Sequence, residues 1–148
     1  MQLTVTCATY WSGGYIDASQ QWDAKAEEKA DVVGEIYYRN TVGFPFRVAQ
    51  QDSVPQPEFQ GYRMIDGYPR FMYKMGDILV HELIQPAENT PGFKMQYTLE
   101  NVNEPIWYAL SKNGDTQLEV TNGTVEGDMI SLTPEEAKEF TITITADE

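Results

Sequence analysis

From Phe59 to Ile84 hydrophobic and polar positions alternate in three successive runs, which predicts three strands joined by two tight turns. The first run carries Phe59, Tyr62, Met64 and Ile65 into Asp66-Gly67, where Asp can bond its own downstream backbone and Gly accepts positive φ. In the second, Phe71, Tyr73 and Met75 alternate with Arg70, Met72 and Lys74, the period of a strand with one covered face. Gly76-Asp77 turns the chain again, and the third run, Ile78 to Gln85, is apolar on both faces, which places it in the middle of a sheet.

The same reading extends along the chain. Leu3 to Cys7 predicts a first strand that Tyr10 and Trp11 extend, with a turn at Ser12-Gly13-Gly14 and a short strand at Tyr15-Ile16. Asp17 to Gln21 suits a loop, and Asp23 to Asp31 holds helix formers whose apolar positions are all alanine, so a short exposed helix or a loop fits there. Val32 to Arg39 is a strand with Gly34 marking a bulge or a close backbone approach, and Phe44 to Val48 is a shorter strand that Pro45 demotes to an edge or a strand entrance. Gln50 to Glu58 and Pro86 to Gly92 read as loops. Phe93, Met95, Tyr97 and Leu99 alternate with polar residues in a one-sided strand. Asn113-Gly114 predicts a hairpin between Ile106–Ser111 and Thr116–Thr121, and Asn122-Gly123 a second turn of the same kind. Met129 to Leu132 is a strand, Thr133-Pro134-Glu135-Glu136 a capped helix start of a turn or two, and Phe140 to Thr145 the last strand. The expected fold is a single all-β domain over residues 1–148. It is an antiparallel β-sandwich, jelly-roll or supersandwich-like, of about ten short strands with at most one or two short helices.

Composition narrows the function more than it defines it. A chain of 148 residues buries roughly 70% of its unfolded surface and needs no staple. The single cysteine, Cys7, closes no intrachain disulfide and reads as a buried apolar residue. Ten basic against twenty-three acidic residues leave a net charge of −13, which opposes binding to nucleic acid or anionic lipid and describes a solvated acidic surface. No apolar run reaches bilayer length, so no membrane insertion is expected. No signal peptide is visible at Met1-Gln2, and an exported form is expected to begin after one.

His81 is the only histidine, which excludes imidazole-rich metal sites and a blue-copper centre and leaves one candidate base for any nucleophile. Beside Leu79 and Leu83 it reads as a structural histidine. Asp17, Asp23, Glu35, Glu82 and Glu104 are the acids nearest aromatic residues, but a catalytic pair needs a separation that sequence does not supply. No EF-hand, phosphate-loop or dinucleotide pattern is present, and no cofactor is expected. The three tryptophans and nine tyrosines are the more telling set, because each offers an apolar face with a polar tip. In the adjacent pairs Tyr37-Tyr38 and Trp107-Tyr108, strand alternation turns the two rings to opposite faces. The sequon Asn122-Gly123-Thr124 sits in a turn and is assigned no role.

Several ordered motifs resemble a known family. Trp11-Ser12-Gly13-Gly14-Tyr15-Ile16-Asp17-Ala18 with Trp22, Gly43-Phe44-Pro45-Phe46-Arg47-Val48, Phe59-Gln60-Gly61-Tyr62-Arg63 and Asp66-Gly67-Tyr68-Pro69-Arg70-Phe71-Met72-Tyr73 are similar to a β-domain of large exported bacterial proteins. There the domain accompanies a sorbosone-dehydrogenase-like propeller and c-type cytochrome domains. The likeness runs from Trp11 to about Trp107 and implies a periplasmic or secreted location. It also implies cytochrome or dehydrogenase components as protein partners. The haem motif and propeller are missing from this sequence, so no haem or quinone site carries over. Tyr62, Arg63 and Tyr73 match the motif, where their tips could satisfy buried backbone at a sheet corner.

Together these readings describe a non-catalytic accessory or docking module of an exported redox or carbohydrate-processing assembly. Its aromatic-bearing surface would include Trp11, Trp22, Tyr62, Arg63 and Trp107 and would meet protein or carbohydrate. The alternatives are a carbohydrate-active enzyme using an acid such as Glu82 with His81, and a calcium-stabilised structural subunit.

Overall fold

The computed structural model describes residues 9–17, 31–111, 113–114 and 116–147. Among them are twelve strands, all paired antiparallel, in three sheets. Strands β1 (Thr9–Asp17) and β2 (Asp31–Arg39) form a two-stranded ribbon. The expected turn at Ser12-Gly13-Gly14 is instead an irregularity within β1. Pairing jumps from Ser12↔Glu35 to Tyr15↔Val33, so two glycines oppose Gly34 and the strand continues through a bulge. The strand expected over Leu3 to Cys7, the helix formers from Asp23 to Ala30, and Trp22 lie outside the described residues.

The other ten strands make two facing sheets. Strands β4 (Pro57–Ile65), β5 (Tyr68–Met75), β6 (Ile78–Pro86) and β7 (Gly92–Glu100) form a meander. Both β4–β5 and β5–β6 are closed by the expected two-residue turns, with Asp66 at φ 50° and Gly67 at φ 84° in the first. Strand β12 (Glu139–Ala146) adds beside β7, and β9 (Thr116–Val120) beside β12, giving the order β4-β5-β6-β7-β12-β9. The smaller sheet has the order β10-β11-β8-β3, from β3 (Phe46–Val48), β8 (Ile106–Ala109), β10 (Thr124–Glu126) and β11 (Met129–Leu132). A 3-10 turn at Glu136–Lys138 precedes β12. Thr133 and Glu136 bond each other reciprocally there: the Glu136 carboxylate accepts from the Thr133 backbone at 2.9 Å, and the Thr133 hydroxyl accepts from the Glu136 backbone at 3.3 Å.

The two Asn-Gly turns do not close hairpins. β8 and β9 lie in different sheets, so Asn113-Gly114 carries the chain across the sandwich, and Asn122-Gly123 carries it back from β9 to β10. Asn113 acts as a corner brace: its side chain accepts from the Arg39 backbone at 3.0 Å and donates to the Arg39 carbonyl at 3.2 Å. At Gly123 the backbone has φ +88°, and a Cβ would stand 2.8 Å from the Ser131 carbonyl, so the return corner needs glycine on both counts.

One core fills the space between the sheets. Tyr73, Val80, Phe93, Tyr97, Phe140 and Ile142 point in from the six-stranded sheet, and Phe46, Ile106, Tyr108, Ile130 and Leu132 from the four-stranded one. The ring of Phe46 stands edge-on to Tyr97 at 5.3 Å and to Tyr108 at 5.2 Å, while Tyr97 stacks on Phe140 at 5.0 Å. Such pairs each add about 0.5–1.5 kcal/mol beyond the area they bury.

Candidate functional site

Two features stand out against this frame, one inside the sandwich and one at its edge. The first is Glu82. In β6 the residues Ile78, Val80 and Glu82 share a face, and that face is the core side, so strand alternation drives a carboxyl into the interior at 4% exposure. Its cross-strand neighbours are Phe71 on β5 and Tyr97 on β7. The Tyr97 hydroxyl donates to Glu82 Oε1 at 3.3 Å and lies 2.8 Å from the hydroxyl of Tyr108, which reaches over from the smaller sheet. The Met95 sulfur lies 3.6 Å and 3.7 Å from the two hydroxyls. Glu82 Oε2 and the Tyr73 hydroxyl have no hydrogen-bond partner.

Burial raises the Glu82 carboxyl from 4.5 to about 7, because the interior cannot solvate the charge. The hydroxyls of Tyr73 and Tyr97 oppose that rise by favouring the ionised form. Tyr73 does so from close by but out of hydrogen-bonding geometry. Burial also pushes Tyr73, Tyr97 and Tyr108 well above their ordinary value, with the Glu82 charge adding to it. The cluster therefore holds all its protons in acid, and Glu82 is the group that gives one up near neutrality.

Glu82 lines neither the cavity of about 290 Å³ beside Leu110, Asn113, Leu118 and Ile144 nor that of about 170 Å³ beside Ile65, Arg70, Leu83, Gln96 and Thr98. His81, next in the chain, points out of the opposite face, with Nε2 3.6 Å from Glu100 Oε2 and Nδ1 buried without a partner. The imidazole and the Glu82 carboxyl thus diverge, and the acid that meets His81 is Glu100. No cluster of three or more His, Cys, Asp or Glu side chains able to hold a metal is found among the described residues. No helix among them is long and apolar enough to cross a membrane.

The second feature is β4. It is the terminal strand of the six-stranded sheet, pairing only with β5 among the described residues. A bulge between Phe59 and Gly61, where Gly61 takes φ +137°, shifts the alternation so that Phe59 opposes Tyr73 and Tyr62 opposes Phe71. Phe59, Tyr62 and Met64 consequently share the inward face. The smaller sheet covers Tyr73 and Val80 fully but does not reach β4, leaving Phe59 40%, Tyr62 63% and Met64 55% exposed. The Tyr62 ring leans on Phe71 at 6.3 Å. On the other face, Arg63 stands opposite Arg70.

The described side chains of the expected surface do not share one face. Tyr62 faces the uncovered inner side of β4, Arg63 the outer side of the same strand, and Trp107 the outer side of the smaller sheet between Arg47 and Ser131. Trp107 is half-buried, while its neighbour Tyr108 is in the core, as their adjacency required. The Trp11 backbone pairs with Ile36 in the ribbon, and Trp22 lies outside the described residues. Phe59 and Met64, read from the sequence only as strand residues, belong with Tyr62. The signal was the Gln60-Gly61 step, which shifts the phase of the alternation.

The fold and these two features define the class: an antiparallel two-sheet sandwich with an acid locked in its core and an apolar edge strand. The chain matches no family model, no curated protein and no solved structure. The likeness to the exported β-domain therefore rests on the quoted motifs alone.

Proposed function

We propose that this chain is a non-catalytic docking module whose β4 edge accepts an extended segment of a protein partner. The observation that carries the reading is the row Phe59, Tyr62 and Met64, exposed on a nine-residue terminal strand that has no strand on its outer side among the described residues. Such an edge supplies main-chain hydrogen bonds to an incoming strand, and the apolar row supplies the area that holds it. An exported redox or carbohydrate-processing assembly is the setting the motif resemblance implies, and it belongs to the same proposal. The test compares proteins retained from a native extract by the immobilised chain with those retained by Tyr62→Asp and by Val125→Asp, an exposed apolar position on the far edge of the other sheet. Partners lost with the first variant and kept with the second support the reading. Identical partners on all three overturn it.

A further inference from the structure

Building on the docking role of β4, we infer that its occupant is β4 of a second copy, paired antiparallel about a two-fold axis between Gln60 and Gly61. Natural edge strands are protected by shortness, by internal proline or by lysine. β4 has nine residues, its only proline is the first, Pro57, and it has no lysine. Besides the charges of Glu58 and Arg63, its edge device is the bulge, which sits at the middle of the strand, where the axis would fall and both copies would bend alike.

The bulge also selects the register. Because it shifts the alternation, Pro57, Phe59, Tyr62 and Met64 share one face and Glu58 and Arg63 the other, as their partners Met75, Tyr73, Phe71, Pro69, Lys74 and Arg70 on β5 show. Pairing about the Gln60/Gly61 midpoint sets Phe59 against Tyr62 and Pro57 against Met64 on the apolar side. On the polar side it sets Glu58 of each copy against Arg63 of the other. Shifting by one residue would oppose Phe59 to Arg63 and Glu58 to Met64, mixing faces along the seam. Within its own chain Arg63 faces the like charge of Arg70, and Glu58 stands opposite Lys74 without closing an ion pair with it. The ion pairs among the described residues are His81 with Glu100 and Lys138 with Glu135, so Glu58 and Arg63 each enter the contact without an ion-pair partner. A self-complementary patch of this kind closes as an isologous dimer and joins two six-stranded sheets edge to edge. The net charge of −13 on each copy opposes the approach, and at physiological salt a Debye length of about 8 Å screens distant charges more than the touching pairs.

Sedimentation velocity under reducing conditions at about 0.15 M salt, from micromolar to millimolar chain, reads this directly. The wild type should show a dimer mass that rises with concentration. Glu58→Arg or Arg63→Glu should each weaken dimerisation by about tenfold, since each turns two attractive cross-strand pairs repulsive. The double variant Glu58→Arg/Arg63→Glu should restore it to within about threefold, and circular dichroism should show all three folded. A monomeric wild type overturns the inference, as does a dimer indifferent to the single charge reversals or not rescued by the double. If the chain is monomeric yet loses its extract partners with Tyr62→Asp, the docking role stands and self-pairing falls; if those partners are also unchanged, both fall.

Discussion

Replacing Glu82 by Gln tests whether the core carboxyl titrates as its surroundings require. Raising a carboxyl from 4.5 in the open chain to about 7 in the folded one corresponds, at about 1.4 kcal/mol per tenfold in proton affinity, to about 3 kcal/mol. The sign follows from proton counts. Between those two values the folded chain keeps a proton that the unfolded chain has released, so rising pH favours unfolding. The stabilisation is complete below about 4.5, declines through neutrality and is gone once pH exceeds about 7. Gln at position 82 is uncharged throughout and can still accept from Tyr97. Urea unfolding of both proteins from pH 4 to 8.5, followed by tryptophan fluorescence, gives the curves. With a urea slope of about 2 kcal/mol per M, the wild-type midpoint should fall relative to Glu82→Gln by about 1.5 M across that range. Surface acids are common to both proteins and cancel in the difference. Parallel curves from pH 4.5 to 8.5 would show that Glu82 is not held neutral by the fold, and the assignment of its raised proton affinity would fail.

Other substitutions probe the remaining links. Tyr97→Phe removes the hydroxyl that bonds Glu82 Oε1 and should cost about 1–3 kcal/mol, whereas Tyr73→Phe deletes a buried hydroxyl with no partner and should be neutral or slightly stabilising; thermal melts at one pH compare the two. Gly123→Ala should lose about 2 kcal/mol or more, because positive φ and the Ser131 carbonyl both exclude a side chain. Gly127→Ala, at φ +63° with open space around it, should lose about 1 kcal/mol in the same denaturation assay. Thr133→Ala removes the hydroxyl that closes the turn before β12 and should lower stability by about 1 kcal/mol in urea.

What the sequence disclosed tracks how local each determinant is. The alternation in β7 and β12, the Asp66-Gly67 and Gly76-Asp77 turns and the Thr133 cap all act over a few residues, and each was readable. The two Asn-Gly steps were readable as turns but not as sheet crossings. Turn chemistry sets the chain's direction, whereas partner choice is decided by β11 and β12, which lie further along. From the sequence Glu82 reads as an acid near aromatics and as a candidate companion of His81. The period of two puts Glu82 on one face with Ile78 and Val80 and His81 on the other, but with both faces apolar it does not say which one the second sheet covers. Its three tyrosines come from β5, β7 and β8, and no spacing rule joins those. The apolar edge was hidden differently, since Phe59, Tyr62 and Met64 look like core residues until the width of the opposite sheet is known.

The order of strands along the chain has a consequence for how the protein comes off the ribosome. β4 to β7 are neighbours in sequence and can zip together by short loops, but the layer that covers them needs β3 to meet β8, and β8 to meet β11, from the last third of the chain. Until those residues emerge, the meander presents Tyr73, Val80 and Tyr97 to water, and Glu82 is an ordinary hydrated acid. The nascent meander thus carries a charge that the finished protein disfavours, because burial under the smaller sheet raises the proton affinity of Glu82.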